Sequence, residues 1–229
     1  MQGILHCAGP VCCQKMEIHA PEGHIQSLRD VAIHLAIVTV GILIALGLEQ
    51  TVEWYHHHEL AAEARENILS EIRDNRKEID SLLNKIKDSR TNHLRSIRII
   101  DDYLARGKSA NHDMNLGVGI AQIRDTAWTT AQTVGALNFM PYAEVQRFAA
   151  AYRLQQQFSR LQDRSVDSVV TAAAVFAESA GPDKLSHADL VIERERILDS
   201  LAQMLAETQM AEGLNKSYAE VLEGSKKAD

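Results

Sequence analysis

Proline and glycine are scarce in this 229-residue chain, with four and twelve copies. That scarcity excludes a collagen-like, low-complexity or loop-rich β chain. Cysteine is confined to Cys7, Cys12 and Cys13. No second pair follows to complete a zinc site, and nothing downstream could close a disulfide framework. A chain of this length buries a sufficient core without such staples. A basic surplus is missing as well. Lys and Arg number 24 against 31 Asp and Glu, for a net charge of -7, which excludes a general nucleic-acid binder. There is no Gly-rich phosphate loop, no HExxH, no GxSxG and no strand–helix alternation. No cofactor and no catalytic activity are therefore expected.

What is present is unevenly spread. The mean hydropathy of -0.19 describes an ordinary soluble domain, but Val31 to Leu48 is a run of 18 residues without Asp, Glu, Lys or Arg. About 20 apolar residues span a bilayer, with a lower limit near 17. The apolar residues wrap the whole circumference, which a soluble surface helix does not do. The run is longer than a signal-peptide core and no small-x-small cleavage site follows it, so an uncleaved signal anchor is expected. His34 lies four residues after Asp30, at headgroup depth and on the same face. Gly41 and Ala45 form a small-xxx-small pair that permits a close helix pair, hence a homo-oligomer.

Lys15 and Arg29 precede the run, whereas the first basic residue after it is Arg65, beyond Glu49, Glu53, Glu59 and Glu63. That asymmetry favours an N-terminus inside and a C-terminal region outside, which in a bacterium means an inner-membrane protein with its C-terminal region in the periplasm. All three cysteines precede Met16. A translation start at Met16 would remove them.

From Glu49 to Arg106 there is no proline or glycine, and the residues are mostly good helix formers. Ile72, Asn75, Ile79, Leu82 and Ile86 recur at spacings of three and four, and the rhythm resumes at His93, Ile97, Ile100 and Leu104. This is a narrow seam, as in a coiled coil or bundle helix, with Asn75 fixing its register. The seam needs a partner, either the rest of the chain or a second copy. Near the membrane, His56, His57 and His58 point in three directions about 100° apart on a helix. They read as a headgroup-level collar with Trp54 and Tyr55 as interface anchors. A metal site built from them needs a second copy.

Residues 107–119 break the helical pattern. A second helix is expected over 120–138, with Ala127, Ala131 and Gly135 as a small-residue stripe and Trp128 and Leu137 packing in the core. Pro141 suits the first turn of a third helix reaching Ser179, stopped by Gly181-Pro182. Ser186 and Asp189 resemble a capping box opening a fourth helix, with Gly213 as a kink position.

Two stretches are similar to known proteins. HIQSLRDVAIHLAIVTVGILIALGLEQTVEW, His24 to Trp54, resembles a group of uncharacterised bacterial single-span membrane proteins. DTAWTTAQTVGALNFMPYAEVQRFAAAY, Asp125 to Tyr152, resembles that group's second characteristic block. The resemblance implies a bacterial origin, a membrane anchor and a helical C-terminal domain, and carries no activity.

The expected fold is all-α: one spanning helix continuing into a long helix, then a bundle closed by three more helices over 120–223. The expected partners are the lipid bilayer, a second copy and an unidentified protein. The leading function is a membrane-anchored scaffold or interaction module of the envelope. The rival is a ligand, metal or pH sensor using His56–His58 or a pocket near Trp128.

Overall fold

The computed structural model describes residues 27–179 and 181–225. The cysteines, Lys15 and the Met16 start lie outside these residues. The described chain is all-α, with helices α1 (Leu28–Arg106), α2 (Thr126–Thr133), α3 (Tyr142–Ser179) and α4 (His187–Ser225). No strand occurs among the described residues. The chain divides into two units, residues 1–53 and 54–229, so the division falls five residues beyond Leu48.

In the first unit, α1 is exposed on all sides. Its most apolar 18-residue window is 0% buried. Among the described residues α1 is the helix long and apolar enough to cross a membrane. Thr39 donates to the Leu35 carbonyl and Thr51 to that of Gly47, so neither needs water. His34, Gly41 and Ala45 are exposed, and an added Cβ on Gly41 would meet nothing within 4 Å.

In the second unit, three helices share a heptad rhythm. On α4, Leu190, Ile197, Met204, Ala211 and Tyr218 alternate with Glu193, Ser200, Glu207, Leu214 and Val221, and these are its buried residues. On α3 the buried positions run from Glu144 to Phe176 at the same spacing. On α1 the expected seam is buried from Ile72 to Ile100, with Ile72, Ile79, Leu82, His93 and Ile100 at 0% exposure. A strict 3.5-residue repeat keeps one stripe of each helix facing its partners. The partner of the α1 seam is the rest of the same chain.

The pairings give the topology. Arg65 meets Glu144 and Asn75 meets Gln155, so α1 and α3 run in the same direction. Arg76 meets Asn215 and Asp101 meets Arg194, so α4 runs back between them. α3 and α4 pack against each other, joined through Gly181 at φ 131° and the 3-10 turn Pro182–Lys184. The capping box forms: Ser186 Oγ accepts from the Asp189 N–H, and Asp189 accepts from the Ser186 N–H. α4 passes through Gly213 as continuous α-helix.

A parallel α1–α3 pair requires a return segment, and residues 107–125 supply it without helix. Here the expectation of a helix from 120 to 138 is corrected. Residues 120–125 carry no helical assignment, because side chains of the bundle take their backbone bonds. Gln162 holds both the N–H and the C=O of Ala121. Asn75 does the same for Arg124, with Gln155 adding a second donor to its carbonyl. Farther up, Ser96 bonds both backbone groups of Asn115. An added Cβ on Gly119 would lie 2.9 Å from Lys85 Cβ, so the strap lies directly on α1. Gly135 is also corrected. It sits at φ 75°, past the end of α2, in the left-handed region where glycine is favoured. The small-residue stripe is therefore only Ala127 and Ala131.

Candidate functional site

The start of α2 lies against α1 and is capped from there. Asp125 makes no side-chain cap. Instead the Ala127 N–H donates to Glu71 of α1 at 2.9 Å. A carboxylate at a helix start satisfies an orphan N–H and the local positive dipole. The other Glu71 oxygen accepts from the Tyr152 hydroxyl at 2.7 Å. Trp128, 8% exposed, stacks on Tyr152 with centroids 5.2 Å apart. One turn along, Asn75 donates to Gln155 at 3.3 Å, and Tyr218 of α4 donates to the same Gln155 oxygen at 2.5 Å. Burial, reinforced by the bond to Glu71, holds the Tyr152 hydroxyl far above its ordinary pKa. Burial does the same for Tyr218, opposed by Asn75. Both remain donors at any physiological pH.

Beside this network a groove of about 580 Å³ opens between α1 and α2. Leu60, Ala64, Ala127, Ala131 and Val134 line its apolar side. Asn67, Ser70, Thr126 and Thr130 supply hydroxyl and amide groups, and Glu63, Glu71 and Asp74 its acids. Arg124, also in the lining, is paired with Asp74 at 3.2 Å. The volume falls within the range of small-molecule clefts.

The histidines do not converge. His57 is half-buried and stacks on Phe139 at 3.9 Å, while His58 stacks on Trp54 at 5.6 Å. His56 is exposed, its ring 6.5 Å from that of His57. Among the described residues no three His, Cys, Asp or Glu side chains are grouped to hold a metal.

A second polar feature lies higher in the bundle, and sequence periodicity missed it. Glu207 is 0% exposed, and neither of its oxygens has a hydrogen-bond partner among the described residues. Burial pushes its carboxyl up to about 7. The Ser165 hydroxyl faces it and tempers the shift without completing a bond of ordinary geometry. His93, also fully buried, donates through Nδ1 to the Ser89 carbonyl at 2.8 Å, leaving Nε2 without a partner. Burial lowers its pKa, opposed by the Ser89 contact. The available signal was heptad register, since Glu207 lies seven residues after Ser200 and seven before Leu214.

A scan against protein-family models, a search of curated proteins and a search of solved structures return no match to this chain.

Proposed function

We propose that the chain is a membrane-anchored helical scaffold or protein-interaction module of the bacterial envelope, without catalytic activity. The observation that carries this reading is the contrast along α1. Its apolar stretch is entirely exposed, whereas its heptad seam is closed by the chain's own α3 and α4. A fully exposed apolar run calls for lipid, and a closed bundle beyond it presents fixed polar faces to partners. The resemblance of residues 24–54 to single-span bacterial proteins supports the envelope assignment. The basic residues before the run and the acidic ones after it support an N-terminus in the cytoplasm and a bundle in the periplasm.

The anchor is tested by alkaline carbonate extraction of membranes: the chain stays in the pellet, and release into the supernatant sinks the reading. Orientation is tested with C-terminal fusions. Alkaline phosphatase is active there and green fluorescent protein dark; the reverse pattern inverts the topology.

The second reading is a ligand or metal sensor, favoured by the 580 Å³ groove between α1 and α2. Calorimetric zinc titration separates the two. A stoichiometric site lost in His57→Ala favours the sensor, and no heat of binding favours the scaffold.

A further inference from the structure

From Thr126 through Ala143 the chain carries no charged residue and no histidine, over 18 residues of a sequence that is 24% charged. The stretch makes α2, the 3-10 turn Ala136–Phe139 and the start of α3. Two contacts fix its place in the bundle. Arg65 bonds Glu144 in the first turn of α3, and Phe139 stacks on His57, eight residues earlier on α1. The turn therefore reaches farther down α1 than α3 does, to the end at which α1 enters the bundle. Val134, Phe139 and Tyr142 are 51%, 44% and 77% exposed. Trp54 and Tyr55, in the same part of α1 as His57, are exposed too. Single exposed apolar side chains need no explanation. Five toward one end of a bundle, in and beside an uncharged stretch, do.

We propose that this uncharged segment is an interfacial foot, whose Val134, Phe139 and Tyr142 rest in the headgroup layer of the membrane that holds α1. The proposal rests on the anchored reading above. Chain length selects lipid as the occupant. His57, on which Phe139 stacks, lies nine residues after Leu48. Even fully extended, that connection keeps His57 within about 32 Å of the end of the apolar run. The confinement gives a lipid surface a high effective concentration at the patch, whatever angle the two units adopt. Chemistry selects the same occupant. Tyrosine among apolar side chains suits the boundary between membrane and water, and no charge from Thr126 to Ala143 has to be desolvated there. A charged protein partner would find nothing to pair with over that stretch. Glu59, Glu63 and Glu66 are exposed on the neighbouring turns of α1, so the contact is apolar and gains nothing from anionic lipid. The foot gives the bundle a second hold on the bilayer besides α1, which limits its tilt.

The test uses the full chain, with Cys7, Cys12 and Cys13 replaced by Ser, reconstituted in phosphatidylcholine vesicles. Tyr142→Cys carries a nitrobenzoxadiazole label, whose emission follows the polarity around it. Val170→Cys carries the same label as the control, being 57% exposed on the same helix and about 42 Å farther along it. Lipids with a nitroxide near the headgroup then report contact. The label at 142 loses most of its emission, and the label at 170 keeps it. Adding either Val134→Asp or Phe139→Asp restores the emission at 142, with helix content followed by circular dichroism. No loss at 142, equal loss at both positions, or a loss that persists in both aspartate variants overturns the proposal. Blue-shifted emission at 142 without quenching by lipid means that protein covers the patch, and overturns it as well. Flotation of the vesicles is read on the same samples. A chain that floats without quenching at 142 removes the foot and leaves the anchor standing, whereas a chain left at the bottom removes both.

Discussion

Glu207 is the most poorly accommodated side chain of the bundle: fully buried, unpartnered at both oxygens, and raised to about 7 by burial. Its folded pKa lies above the unfolded carboxylate value. The protonated form therefore stabilises the fold at low pH, and that stability is lost as pH rises through about 7. Between pH 6.5 and 8 the loss is about 1 kcal/mol. Urea unfolding followed by circular dichroism checks this: the midpoint falls across that interval in the natural chain and stays level in Glu207→Gln. His93 carries the opposite sign. Its folded pKa is lowered, so its contribution is present above the unfolded histidine value and is lost as pH falls through the folded one. His93→Leu therefore weakens the acid-side loss of stability and leaves the alkaline-side loss in place, read from urea midpoints at pH 5, 6.5 and 8.

At the scale of elements, the strap is the feature whose stability depends on side chains far away in sequence. Asn75→Ala removes the partners of the Arg124 N–H and one of the two donors to its carbonyl. The expected cost is roughly 1 kcal/mol, since a part-buried backbone donor loses its partner. Limited trypsin digestion checks it: cleavage after Arg124 is slow in the natural chain and fast in Asn75→Ala, and unchanged cleavage would mean that the strap is held by other contacts. The same residues mark where sequence reading succeeded and failed. The seam from Ile72 to Leu104 was legible because its apolar members repeat at three and four. Asn75 stood out only because it interrupts them. Ser89, Ser165, Glu193, Ser200 and Glu207 occupy equivalent buried positions, but a pattern scored by hydrophobicity reads them as surface. The helix expected over 120–138 failed for a related reason. Local propensity cannot register that Gln155 and Gln162, more than thirty residues ahead, take over the backbone bonds of Ala121 and Arg124. The groove between α1 and α2 was not legible in composition, because residues of α1 such as Glu63, Glu71 and Asp74 meet Thr126 and Thr130 there only through the return of the strap along α1.

At the scale of the whole molecule, average composition conceals two parts with opposite burial of their apolar residues. Residues 31–48 expose their apolar side chains on every face, while the bundle buries its own in two adjoining clusters, one around Ile72 and Phe148 and one around Ile100 and Ile197. A bundle that closes its seam within one chain does not need the apolar run to fold. A fragment covering residues 54–229 is therefore expected to stay in solution without detergent, to be highly helical, and to unfold in one cooperative transition, as single domains of this size usually do. Tryptophan fluorescence follows that transition, because Trp128 is 8% exposed and stacked on Tyr152 while Trp54 is 66% exposed. Substituting Trp54→Phe leaves the burial of Trp128 as the reporter. Red-shifted emission at zero denaturant would show that the α1–α3 pairing around Glu71 does not form alone, and gradual unfolding without a midpoint would show that the heptad seam is not a single cooperative core.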